Sequence, residues 1–239
     1  MRLFLLLSIL FTLSFCTNKE SSKIEFVSIY GQVSDFENNP IKDAKVGIKN
    51  KDFKDIYQTK TDENGKYSIR VVKGKYFALY AIKENDYGKT KLEYWAWNVP
   101  ASQDIKINPQ YDNLEIYGVH IFEPKTKPND TYRIYFRPMS LKKFKQLDNK
   151  KDTIDILPIL KKEEIKIKIN NKTASIKTLD KVLEYNTTGK YIYAYELQVV
   201  KPKNNNEQDF DKISIEIYSS ETKESGKSDC FFQKKNLTN

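Results

Sequence analysis

The sequence predicts an all-β protein made of two β-sandwiches in tandem with one short helix. Three observations carry that expectation. From residue 24 onward, apolar residues recur largely at every second position, the period of a strand with one buried face. The runs are short and are separated by Gly, Pro, Asn and Asp, residues suited to tight turns. The 239 residues are 39% hydrophobic and 13% aromatic, which suffices for a core and excludes wholesale disorder. The length allows one large domain or two small ones.

The first segment is an address. Arg2 precedes a mostly apolar run over residues 3–15 that stops immediately before Cys16. A transmembrane helix needs about 20 apolar residues, so this run reads as a secretory signal. The residues Leu13-Ser14-Phe15-Cys16 are similar to a bacterial lipobox, with Phe15 in place of the usual small residue. The resemblance implies a lipoprotein signal peptide over 1–15, lipid (palmitate) on Cys16 and a polar tether over 16–23. It also implies a membrane partner and a place at the bacterial envelope; Thr17 after the cysteine points to the outer membrane. The alternative is an ordinary signal peptide cut nearby, with Cys16 incidental. Lipidated Cys16 leaves Cys230 without an intrachain partner. Beside Phe231 and Phe232, Cys230 reads as a small buried hydrophobe.

Residues 24–109 hold about seven strands. The first ends at Gly31, and Asn38-Asn39-Pro40 marks a turn before Val46 and Ile48 on one face of the next. Asp62-Glu63-Asn64-Gly65 is a hairpin-type connection in which Gly65 takes positive φ. The close carboxylates of that turn resemble part of a calcium loop but lack its longer ligand series. Tyr67, Ile69 and Val71 line one strand face, and runs over 76–82, 91–99 and 104–107 complete the set. With no helix between them, such strands form a small sandwich.

Several of these residues carry a family resemblance. Tyr30-Gly31-Gln32-Val33 and Asn39-Pro40-Ile41-Lys42-Asp43-Ala44-Lys45-Val46 resemble the opening of a carboxypeptidase regulatory-like domain. Thr59, the run from Thr61 to Ile69 and Gly74-Lys75-Tyr76 continue the pattern. The resemblance implies a transthyretin-like, seven-stranded sandwich that serves as an accessory module and supplies no catalytic residues.

Residues 110–239 read as a second β-sandwich with a polar C-terminal tail. Strand-like runs cover 114–122 and 131–137. Ser140 caps a short helix that carries Leu141, Phe144 and Leu147 on one side. Lys142, Lys143, Lys145, Lys150 and Lys151 make this helix and the following loop basic. Ile165, Ile167 and Ile169 face one way while Lys166 and Lys168 face the other. The longest strand is 190–200, and Ile213, Ile215 and Ile217 mark the last clear one.

Function has to be sought among aromatics and charges. Trp95 and Trp97 share a strand face beside Tyr94, so an exposed face gives a stacking platform for sugar rings or a partner's side chains. The same spacing fits a core or a seam between domains. Arg133 and Arg137, two arginines close together in a Lys-rich chain, mark an anion contact or a structural ion pair. Tyr94, Trp95, Trp97, Arg133 and Arg137 are therefore the candidate ligand or partner surface. Tyr191, Tyr193 and Tyr195 share a face that Leu197 and Val199 continue, which makes it a core stripe. His120 stands alone and is expected to be a hydrogen-bonded structural residue.

The 41 Lys+Arg against 32 Asp+Glu give a formal charge of +9. Most of the lysines are spread along strands and loops, as on a solvated surface, and an exported protein rarely meets nucleic acid. The sequence has no Gly-x-Ser-x-Gly elbow, P-loop, dinucleotide fingerprint or HExxH, and one histidine weakens multi-histidine metal sites. No metal and no cofactor are implied. The expectation is a non-catalytic binding or scaffolding module for a glycan or an envelope protein. The alternatives are a purely structural envelope component and a hydrolase with paired carboxylates, for which Glu93 is the first candidate.

Overall fold

Fifteen strands and one short α-helix make up the computed structural model, which describes residues 24–125, 130–147, 152–185, 189–203 and 209–234. Cys16, the tether, and Lys150 and Lys151 lie outside the described residues. The first seven strands are β1 (Phe26–Gln32), β2 (Lys45–Lys49), β3 (Asp55–Lys60), β4 (Lys66–Val72), β5 (Gly74–Ile82), β6 (Tyr94–Ala101) and β7 (Ile105–Lys106). Then come β8 (Leu114–Phe122), β9 (Thr131–Ser140), the helix α1 (Leu141–Lys145) and β10 (Thr153–Ile154). The chain finishes with β11 (Ile165–Ile169), β12 (Lys172–Tyr185), β13 (Tyr191–Val200), β14 (Phe210–Ser219) and β15 (Glu224–Gln233). The all-β class, the two sandwiches and the single short helix are as the sequence predicts.

In the first sandwich a sheet ordered β4-β1-β7 lies against the strands β3-β2-β5-β6. Strand β4 shows why: Tyr67, Ile69 and Val71 are buried while Lys66, Ser68, Arg70 and Val72 are exposed. The turn before β4 closes by Gly65 N–H donating to the Asp62 carbonyl at 2.9 Å, and Gly65 has φ +68°. That conformation favours glycine. Asp62 Oδ1 accepts from the Asn64 and Lys66 amides, so this carboxylate shapes a turn.

The second sandwich is a sheet that folds over on itself. From β15 the order runs β14-β11-β12-β13-β9-β8, with β10 attached to β13. Strand β12 is long enough to serve both layers, and a register shift between Ile176 and Thr178 bends it. Its first three residues, Lys172 to Ala174, pair with β11, and the stretch from Ser175 to Tyr185 pairs with β13. The layers close where β8 meets β15: a Cβ on Gly226 would fall 2.2 Å from the Leu114 carbonyl oxygen, so only glycine fits. Helix α1 starts as expected, with Ser140 Oγ accepting from the Lys143 amide at 3.1 Å. Leu141 is its buried residue, whereas Phe144 is 51% exposed.

The two sandwiches share one sheet. β6 runs parallel to β15, with Trp95 opposite Ser228, Ala96 opposite Asp229 and Trp97 opposite Cys230. Twelve strands are thereby joined, and the core is continuous from Ile29 in β1 to Phe231 in β15. Period-two patterning carries no information about such a pairing, because each strand looks complete by itself.

Candidate functional site

Alternation along β6 sends its side chains to opposite faces of the shared sheet. Trp95 and Trp97 point to the face that β8 covers. Their rings stack at 5.1 Å between centroids, and Tyr117 of β8 meets both edge-on at 5.6 and 5.2 Å. Phe53, Phe77 and Tyr80 complete the group. Trp95 is 3% and Trp97 5% exposed, so the expected stacking platform is corrected to the seam between the sandwiches. The cause is β8, which lies over this face and removes it from solvent. Tyr94 is fully buried on the other face.

The arginines do not form one surface either. Arg137 sits over the Tyr117 ring at 5.0 Å and pairs with Glu184 at 3.5 Å, which joins it to the aromatic group. Arg133, four residues along β9, bonds Glu196 at 2.9 Å. Both are structural ion pairs between strands.

Two carboxylates accompany the indoles. Glu115 is 3% exposed and accepts from Trp95 Nε1 at 2.8 Å. Burial and the charge of Glu93 close by push its pKa up to about 8, against hydrogen bonds from Trp95 and the Glu93 backbone and the charge of Arg137. Burial likewise raises Glu93 to about 7, against the pull of Lys49 and Lys45. Lys49 pairs with Asp55 Oδ1 and Lys45 with Oδ2, which also accepts from Tyr80 OH. Glu93 therefore belongs to a rim of ionisable groups around a buried aromatic seam.

The opposite face is organised differently. Asp229 of β15 is 1% exposed, yet its oxygens accept from Tyr94 OH at 2.7 Å and Ser214 Oγ at 2.5 Å, and Lys212 Nζ stands at 2.8 Å. Beyond this network the sheet face is not covered by any strand among the described residues, because the small β4-β1-β7 sheet ends at β7. The step between β7 and the β11-β14-β15 face forms a cleft of about 380 Å³. Lys106, Lys166, Lys168, Lys212 and Lys227 line it, with Asn108, Asn171, Ser214 and Glu216. An adjoining cleft of about 360 Å³ shares Lys106, Asn171 and Lys212 and is walled by Pro100, Ile105, Phe210 and Phe231. The lysines that seemed dispersed in the sequence are thus partly gathered by strand register: Lys166, Glu216 and Lys227 stand in one row across three strands. The signal for half of this was present in the Ile-Lys alternation of residues 165–169.

Other expectations resolve simply. Cys230 is 1% exposed, and burial pushes its thiol up to about 12. His120 is exposed and lies 5.9 Å from the Tyr135 ring with no hydrogen bond among the described residues, which corrects the expected hydrogen-bonded state. The strand's bulge between Tyr117 and His120 turns it outward. Of the tyrosine stripe, Tyr195 is buried while Tyr191 is 44% exposed, since β13 runs out of the core at its start.

No protein-family model matches the chain, and no curated protein matches it. Among solved structures it is similar to BcpA, the major pilin subunit of Bacillus cereus, at 12% identity and a TM-score of 0.26 over 87% of this chain and 69% of that one. It is also similar to the full-length major pilin SpaD of Corynebacterium diphtheriae, at 8% identity and a TM-score of 0.23 over 87% of this chain and 66% of that one. Likeness at that level carries no inference about what this chain does.

Proposed function

We propose that this chain is a lipid-anchored, non-catalytic envelope protein that presents two fused sandwiches as a binding or scaffolding module for a glycan or an envelope protein. The observation that carries the reading is the parallel β6–β15 pairing, which builds both sandwiches into one sheet. A module whose halves share a sheet holds its surfaces at a fixed angle, as a scaffold requires. Two buried carboxylates, Glu115 and Asp229, tie β6 to its neighbours on its two faces. The lipobox-like Leu13-Ser14-Phe15-Cys16 supports the anchor, and Thr17 supports the outer membrane. The resemblance of the first sandwich to carboxypeptidase regulatory-like modules agrees with an accessory role. The catalytic alternative needs a cleft open to both carboxylates, and neither cleft described above is lined by Glu93 or Glu115.

Intact mass and membrane fractionation of the wild type and Cys16→Ser test the anchor. The expected result is a lipid-sized mass gain in the membrane fraction that disappears with Cys16→Ser. A soluble, unmodified wild type would overturn it.

A further inference from the structure

We propose that the lysine-lined step beside β7 binds an extended acidic polysaccharide. The inference rests on the envelope reading above for its choice of partner, and on the geometry of the step for its chemistry. Three of the lysines, Lys106, Lys166 and Lys168, have no carboxylate partner among the described residues. Lys212 is held by Asp229, and Lys227 Nζ donates to Gln110 Oε1 at 2.9 Å. Burial and the neighbouring Lys212 and Lys168 lower the pKa of Lys227, with Asp229 and Glu216 opposing. A set of cations brought together in this way is relieved by an anion that enters between them.

The spacing of the charges suggests a chain of acid groups rather than one ion. Lys166 and Lys168 are two residues apart on β11, about 7 Å along a strand. Lys227 stands two strands away from Lys166, about 10 Å across the sheet, with Glu216 between them as the one carboxylate lining the step. Each lysine is a point charge without the planar fork by which Arg grips one carboxylate or phosphate. The site therefore reads charge density along a line. Uncharged features suit sugars: Asn171 lines the step, and Asn108 uses its Oδ1 to accept from the Gln32 amide, which leaves its NH₂ as a donor. In the adjoining cleft the half-buried Phe210 offers an apolar edge to the C–H face of a pyranose ring, beside the polar Gln103, Asp104 and Asn170. The step is concave, so a flat lipid surface does not reach Lys212 and Lys227 at its floor.

The test uses the purified full chain with polygalacturonate, neutral dextran, duplex DNA and phosphatidylglycerol vesicles as probes. Lys106→Gln/Lys166→Gln/Lys168→Gln is compared with Lys51→Gln/Lys54→Gln/Lys60→Gln, which removes the same charge from exposed positions of the first sandwich. Matched thermal unfolding of both variants establishes that the fold is intact, and the Lys→Arg version of the cleft set rescues binding. The expected result is a tenfold or greater loss of polygalacturonate affinity in the cleft variant alone, with dextran unbound. Equal losses in the two variants would overturn the site, as would no polygalacturonate binding by the wild type. Tighter binding of DNA or vesicles through the same lysines would overturn the ligand class. Because these assays need no anchor, their failure is separable from a failure of lipidation.

Discussion

The two faces of the shared sheet bury a carboxylate in opposite ways. On the face covered by β8, Glu115 lies among rings with the Trp95 indole N–H and the Glu93 backbone N–H as donors, and burial still carries its pKa up to about 8. On the other face, Asp229 is buried as deeply but gathers a phenol, a serine hydroxyl and a lysine. The first face derives its cohesion from packed aromatic area, and the second from a polar network. The comparison teaches that two acids buried to the same depth can be met by very different sets of partners.

The largest effect falls on the aromatic face. Trp97→Ala removes a ring stacked on Trp95 and edged by Phe77 and Tyr117. Truncating a buried Trp costs about 3–5 kcal/mol, so urea unfolding is expected to show a large fall in midpoint. A fall under about 1 kcal/mol, the scale of a surface substitution, would mean the seam does not depend on these rings.

The polar face is probed by Asp229→Asn, which keeps the shape and removes the charge. Lys212 then loses its counter-charge, and the amide cannot accept everything that the carboxylate accepts. Charged hydrogen bonds are worth about 1.5–3 kcal/mol, and a loss of about 2–3 kcal/mol at pH 7 is expected from equilibrium unfolding. An unchanged variant would dissolve the contrast between the faces.

The sharpest probe reads a slope against pH rather than a loss at one pH, and it is Glu115→Gln. The folded pKa of Glu115 is raised above its unfolded value of about 4.3, so the native state binds the extra proton between the two values. Stability from this group is therefore fully present below about pH 4.3 and declines as pH rises towards 8, where it levels off. Glutamine cannot ionise and still accepts from Trp95 Nε1. Stability measured from pH 5 to 8 is expected to fall less steeply in the variant, which then equals or exceeds the wild type at pH 8. A parallel pair of curves would show that Glu115 is already charged when folded.

Much of the architecture was legible because it is local. Alternation placed the strands of the first sandwich and much of the second, Ser140 announced α1, Asp62 and Gly65 announced their turn, and Phe231 beside Cys230 announced burial. By contrast β12, the longest strand, and β15, rich in polar residues, carry no clean apolar alternation and were not legible as strands. The faces were harder. Alternation states that Trp95 and Trp97 point the same way, while what lies over them depends on β8, whose approach is fixed by Gly226 against Leu114. The same limit hid the lysine step, which needs the register of β11, β14 and β15 together with the edge at β7. His120 was misjudged because a bulge two residues earlier decides its side of the strand.

One consequence of the β6–β15 pairing concerns the order of synthesis. The hydrogen bond from Ser228 Oγ to the Trp95 carbonyl closes across 133 residues. Until the ribosome has finished β15, the edge of β6 waits with two indoles beside it, a surface that invites pairing with a second chain. A fragment stopped at residue 109 is therefore expected to aggregate rather than behave as a small independent sandwich. The last described strand works as a clasp on a sheet begun more than a hundred residues earlier.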